Sequence, residues 1–228
     1  MQKKAVVLLS GGIDSSTVLA LAKQEGFDLY ALTIHYGQRH GIEVEAARAI
    51  ARAMSVKEHK VIAVDLRAIG GSALTGDAEV PKSRSVDEIA GKIPVTYVPG
   101  RNTIFLALAL SWAEAIGASD VFIGATAVDY SGYPDCRPEY IEAFQRLADL
   151  GTKTGVEGKP ISIRAPFVNT PKSDIVQRGD ALGVDYSLTH SCYDPTEDAK
   201  ACGKCDSCLF RKKAFTEAEV KDPTLYAE

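Results

Sequence analysis

The stretch "KAVVLLSGGIDSSTVLALAKQ", Lys4 to Gln24, constrains the fold more than any other part of the chain. An apolar run ending at Leu9 suits a strand buried on both faces. After the turn, Val18, Leu21 and Ala22 fall on one face of a helix. Between them lie Ser10, Gly11, Gly12, Ile13, Asp14, Ser15, Ser16 and Thr17. Such a turn lets a ligand approach the backbone closely, and the start of the helix offers unpaired N–H groups to an anion. No lysine follows the glycines as in a Walker loop, and the three-glycine dinucleotide fingerprint is absent.

The strand-then-helix pattern recurs. "DLYALTIHY" reads as a strand, "GIEVEAARAIARAM" as a helix with Ile42, Ala46, Ala49, Ile50 and Ala53 inward, and "HKVIAVD" as a third strand. Further along come a helix from Asn102 to Ile116, the strand "SDVFIGA", a helix from Pro138 to Leu150 and a strand "ISIRAPFV". "NTPKSDIVQRGDALG" reads as a helix capped by Thr170, with Pro171 in its first turn and Gly183 at its end. Alternation of this kind predicts an α/β fold, a doubly wound, Rossmann-like parallel sheet with helices on both faces. The stretch at about 66–100 is too long for an ordinary connection and is expected to form a lid or small helical excursion. We therefore expect an α/β domain over 1–187 with a lid-like insertion at about 66–100, followed by a zinc-binding helical tail over 188–228.

Composition narrows the function classes. A net charge of −4 without a lysine or arginine block gives no general pull toward nucleic acid or an anionic membrane. The apolar "TIFLALALSWAEAIG" is shorter than the ~20 residues a membrane span needs. The N-terminal run breaks into glycines rather than a cleavage site, so a mature cytoplasmic protein is expected.

Cys192, Cys202, Cys205 and Cys208 form C-x9-C-x2-C-x2-C, four thiolates spaced for a closed tetrahedral zinc site; an iron–sulfur cluster is the alternative. Full coordination by cysteine argues for a structural metal. Lone Cys136 reads as a small buried residue, and "RKK" at 211–213 as a solvated helix face.

"SGGIDSS" resembles the SGGxDS pyrophosphate loop of the ATP pyrophosphatase (PP-loop) superfamily, and Lys172 in "PKSDI" matches that superfamily's later phosphate-directed lysine. "YGQRH" (Tyr36 to His40), "VPGRN" (Val98 to Asn102) and "SGYPDCRPEY" (Ser131 to Tyr140), with the cysteine tail, are similar to the 7-cyano-7-deazaguanine synthase family of queuosine biosynthesis. The resemblance spans nearly the whole chain and is weakest over 75–93. It implies an adenine nucleotide alpha hydrolase-like fold. It also implies an ATP-dependent carbon–nitrogen ligase that converts 7-carboxy-7-deazaguanine and ammonia into a nitrile, releasing AMP and pyrophosphate.

The implied site residues follow. Leu9, Ser10, Gly11, Gly12, Ile13, Asp14, Ser15, Ser16 and Thr17 would hold ATP with Mg2+, and Asp14, Ser15, Lys172 and Arg101 would serve catalysis. Asp14 either contacts the magnesium or holds the loop in shape. Arg39, Asn102, Asp129, Tyr133, Asp135, Arg137 and Glu139 are the substrate-binding set, a carboxylate answering the N–H edge of a guanine-like base and Tyr133 stacking on it. His40 either moves an ammonia proton or orders its loop. No nucleic-acid or membrane partner is expected, and a homodimer is left open. Two rival readings are a tRNA-thiolating or lysidine-forming PP-loop enzyme, which calls for a basic surface or an added RNA-binding domain, and a noncatalytic nucleotide-binding zinc protein.

Overall fold

A computed structural model describes residues 2–38, 40–85, 93–128 and 132–227. Five parallel strands form one sheet in the order β3-β2-β1-β4-β5, with β1 Lys4–Leu8, β2 Asp28–His35, β3 Glu58–Ala63, β4 Asp120–Phe122 and β5 Ser162–Arg164. The described helices are α1 Ile13–Gln24, α2 Ile42–Ala53, α3 Arg101–Ile116, α4 Pro138–Gly151, the short α5 Lys153–Val156, α6 Lys172–Ala181 and α7 Asp206–Glu217. Winding outward from β1 in both directions gives the expected doubly wound sheet.

β1 alternates sides because successive side chains point to opposite faces. Val6 and Leu8 join a core with α3 and α4 through Leu106, Leu110, Ile141 and Phe144. Ala5, Val7 and Leu9 join a second core with α1, α2, α6 and α7 through Leu19, Ile50, Ile175 and Phe215. Val6 and Val7 are completely buried, which explains the unbroken apolar run. No described helix is long and apolar enough to cross a membrane.

Several local expectations are corrected. α2 buries Val44, Ala46, Ala47, Ile50 and Ala51, whereas Ala53 is exposed and Ile42 and Ala49 are half-buried. Its first turn rests on the Gly11 backbone, which rotates the contact face toward Val44 and Ala47. Thr170 does not cap α6; Pro171 occupies the cap position, its fixed φ setting the entry, and Gly183 (φ 74°) does terminate the helix region. The described parts of 66–100 form turns, bends and an isolated bridge at Lys82, and the part of the expected helical excursion that falls on 86–92 lies outside the described residues. Leu66, Leu74, Val80 and Val98 of that stretch are buried in the first core.

"RKK" is not a uniformly solvated face. Arg211 is 2% exposed, donates to Thr189 Oγ1 at 2.8 Å and pairs with Asp222 at 3.0 Å. Lys212 bonds to the Gly203 carbonyl and lies 4.2 Å from the Tyr226 ring centroid. Only Lys213 behaves as expected, making an exposed pair with Glu217. The tail folds back so that α7 is covered by the chain end, which a helical-face argument on the isolated segment misses.

Candidate functional site

A cavity of about 290 Å³ opens between the carboxyl ends of β1 and β4, where the direction of winding reverses. One wall is the glycine-rich turn. Gly11 has φ 86°, and a Cβ there would collide with the Glu43 carbonyl oxygen while standing 3.0 Å from Ala47 N and 3.1 Å from Ala46 Cβ. Gly124, just beyond β4, is equally constrained: its Cβ would lie 2.9 Å from Ser15 N. Two glycines thus let the start of α1 press against α2 on one side and β4 on the other.

Hydroxyls hold the turn in shape. Ser10 Oγ lies 3.0 Å from Ser15 Oγ, and the Ser15 and Ser16 hydroxyls donate to the Gly12 carbonyl at 3.1 and 2.8 Å. No side chain caps α1; Gly12 simply enters it in an extended conformation. The first-turn N–H groups are therefore oriented for an anion, with the positive end of the helix dipole behind them. Across the cavity mouth, Lys172 at the start of α6 reaches over, its Nζ 2.8 and 3.1 Å from the two Asp14 carboxylate oxygens. The contact unites residues 158 positions apart.

The opposite wall is built around Arg101, the first residue of α3. Its guanidinium sits 6.0, 5.8 and 5.8 Å from the ring centroids of Tyr36, Phe105 and Tyr133, an aromatic surround that favours a cation. Glu43 projects from the first turn of α2 into the same space. Burial raises its carboxyl to about 7, against the opposing pull of Arg101. Cys136 also lines the cavity, accepting from Asn102 Nδ2 at 3.2 Å, and burial pushes its thiol up to about 11. It is a neutral packing group at physiological pH.

Placement of the remaining sequence-derived residues is uneven. Leu9, Ser10, Gly12, Ile13, Asp14, Ser15, Arg101, Asn102, Tyr133 and Lys172 line the cavity. Thr17 is buried behind the turn, bonded to Tyr186 at 2.9 Å. Asp135 is not part of the cavity lining: its Oδ2 accepts from Asn102 N at 3.0 Å, steadying the start of α3, while its Oδ1 is buried without a partner among the described residues. Arg137 and Glu139 are exposed around the start of α4, away from the cavity lining. Arg39 and Asp129 lie outside the described residues. Tyr36, Glu43, His190 and Tyr193 line the cavity without having been assigned to it. Tyr36 stands within the quoted "YGQRH"; Glu43 resembles an ordinary acidic residue favouring a helix start, so only its three-dimensional neighbours distinguish it.

The cysteine tail is a second, separate constellation. The ligand sulfurs of Cys192, Cys202, Cys205 and Cys208 all lie within 4.8 Å of one another, with Cys192 and Cys205 4.0 Å apart. Sulfurs at about 2.3 Å from one tetrahedral ion stand about 3.8 Å from each other, so the group fits a single metal. Backbone N–H groups of Cys202 and Cys205 donate to the Cys192 and Cys202 sulfurs at 3.2 and 3.3 Å, favouring thiolates. The antiparallel bridge between Lys82 and Cys205, and the ion pair of Arg84 with Asp206, pin the 66–85 stretch to this knot.

The family model for queuosine biosynthesis protein QueC matches residues 4–219. The chain belongs to this family. Among QueC relatives, a 7-cyano-7-deazaguanine synthase of Myxococcus xanthus is 58% identical over all of this chain and 99% of its own. One from Syntrophus aciditrophicus is 60% identical over 97% of this chain and 96% of its own. Among solved structures, NMN synthetase from Francisella tularensis superposes with a TM-score of 0.50 at 15% identity, over 96% of this chain and 79% of that one. A 4-thiouridine synthetase–RNA complex with bound ATP gives 0.50 at 20% identity, over 95% of this chain and 50% of that one. At such identities these two likenesses show a shared fold alone.

Proposed function

We propose that this QueC protein is a 7-cyano-7-deazaguanine synthase, a carbon–nitrogen ligase of queuosine biosynthesis that acts on 7-carboxy-7-deazaguanine, ammonia and ATP. The observation that carries the ATP half is the uncapped α1 terminus facing a cavity closed by Lys172. Full-length relationship to synthases carries the substrate half.

A carboxylate resists attack because it is anionic and would have to expel oxide. Transfer of an adenylyl group to one carboxylate oxygen makes AMP the leaving group and releases pyrophosphate. Ammonia then displaces AMP to give the amide. Adenylation of the amide oxygen and loss of a second AMP give the nitrile, so two ATP are consumed.

In that scheme the first-turn N–H groups of α1 and the Ser10 and Ser15 hydroxyls receive the departing pyrophosphate, as fixed dipoles that need no reorganisation. Lys172 supplies positive charge there, exchanging its Asp14 contact for phosphate. Asp14, which lines the cavity, would hold a magnesium ion, which would supply positive charge to neutralise the phosphates. Arg101, held by aromatic rings, faces the acid or its adenylate with a planar fork. Tyr133 offers a stacking surface for the deazaguanine. Zn2+ in the cysteine knot would be structural, since four thiolates leave no open position.

Incubation with the acid, ATP, magnesium and ammonium should yield the nitrile by mass, with pyrophosphate. Absence of any nitrile would overturn the substrate assignment. Lys172→Gln should slow pyrophosphate release by about 100-fold, the scale of losing one preorganised charge-stabilising donor.

A further inference from the structure

A second, small cavity of about 20 Å³ adjoins the main one and shares Tyr36, Gln38, Glu43, Leu74, His190 and Tyr193 with it. His40 and Cys192 complete its lining. About 10–15 Å³ suffices for one water-sized molecule, so this space holds a single small guest. The Nε2 atoms of both His40 and His190 are buried and make no hydrogen bond among the described residues. Buried polar atoms without partners are uncommon and ask for a missing one. Nor does the Glu43 side chain appear in any described ion pair, although Arg101 and Tyr36 face it electrostatically.

We propose that this side cavity is the ammonium site, in which His40 and His190 accept hydrogen bonds from the ion and Glu43 takes its proton to release the ammonia nucleophile. The inference rests on the ligase reading above. Ammonium, the dominant form at neutral pH, has four N–H donors and no lone pair, so it must lose a proton before it attacks. The proton passes from nitrogen to the Glu43 carboxylate. The freed lone pair forms the N–C bond at the acyl adenylate while the C–O bond to AMP breaks, AMP leaving with that electron pair. The adduct's surplus proton and the one on Glu43 return to solvent. A group near 7 matches this task, being able to accept and discharge a proton at working pH. The charged and titratable groups around Glu43 are Arg101 from α3, Tyr36 and His40 from the turn after β2, and His190 and Tyr193 from the segment before the cysteine knot. Asp194, 4.0 Å from His40 Nε2, is already engaged by Lys82 at 2.6 Å.

Glu43→Gln and His40→Asn variants, each checked for cooperative unfolding and metal content, test the site with two nucleophiles. Hydroxylamine is neutral at pH 7 and needs no prior deprotonation. With ammonium, Glu43→Gln should lose about 100-fold in turnover, the range of general base catalysis, and His40→Asn should raise the ammonium KM about tenfold. Hydroxamate formation from the same acid, ATP and hydroxylamine should fall less than about threefold in Glu43→Gln. Equal losses with both nucleophiles would place Glu43 on the acid or nucleotide instead and overturn the proposal, as would an unchanged ammonium dependence in both variants. Wild-type protein that forms neither amide nor hydroxamate would refute the ligase reading itself, and this inference with it.

Discussion

Gly11→Ala and Gly12→Ala, adjacent in sequence and chemically identical, should behave very differently. At Gly11 the backbone is left-handed (φ 86°), which costs a residue with a Cβ about 1–2 kcal/mol. The new methyl would also overlap the Glu43 carbonyl and crowd Ala47 N at 3.0 Å, both backbone atoms of α2 that cannot rotate away. Overpacking of this kind costs about 1–3 kcal/mol more. The total, about 2–5 kcal/mol, corresponds to a melting-temperature drop of roughly 5–15 °C for a chain of this size. Gly12 has φ −91°, and its Cβ would meet nothing closer than 3.6 Å, so Ala there loses only the helix-entry preference, at most about 1 kcal/mol. Thermal unfolding of the three proteins, each checked by urea titration, reads the difference. Equal losses in the two variants, or a Gly11→Ala protein melting within 2 °C of wild type, would refute the claim that α2 locks the turn.

Three further outcomes are expected. Tyr186→Phe removes a hydroxyl that bonds to Thr17 Oγ1 at 2.9 Å and reaches the Ile175 and Val176 carbonyls, and should cost about 1–2 kcal/mol by denaturant titration. Glu43 carries a carboxyl raised from 4.5 to about 7, so the folded state holds the extra proton between those values; its stabilising effect is complete below about 4.5 and is lost as pH rises through 7. Glu43→Gln should therefore gain about 2–3 kcal/mol relative to wild type between pH 5 and pH 8 in parallel urea titrations, and no relative gain would contradict the burial argument. Cys205→Ser should abolish stoichiometric metal by elemental analysis and loosen the 81–84 stretch bridged to it, seen as faster amide exchange.

The central architecture was legible because its signals are local. The run ending at Leu9, the glycines after it and the periodic helices fix strand, turn and helix within twenty residues, and the spacing of Cys202, Cys205 and Cys208 alone marks a group able to hold a metal. Lys172 is legible only through the PP-loop resemblance of "PKSDI", and its pairing with Asp14 is a long-range fact. What stayed hidden depends on tertiary neighbours. Asp135 looked like a base-binding carboxylate, yet it braces Asn102; Glu43 looked like a dipole-favouring residue, yet it faces the cavity beside Arg101. Arg211 looked solvated until the chain end brought Asp222 over it. The face of α2 was misjudged because periodicity fixes the angular spacing of a helix but not which way a glycine contact turns it.

The claim that two successive adenylations carry the acid to the nitrile is tested most directly with 7-carboxy-7-deazaguanine labelled with oxygen-18 in both carboxylate positions. If each oxygen is adenylated in turn, each nitrile formed must be accompanied by two AMP molecules, each carrying one labelled oxygen. Label appearing in pyrophosphate or water, or a single labelled AMP per nitrile, would contradict the account.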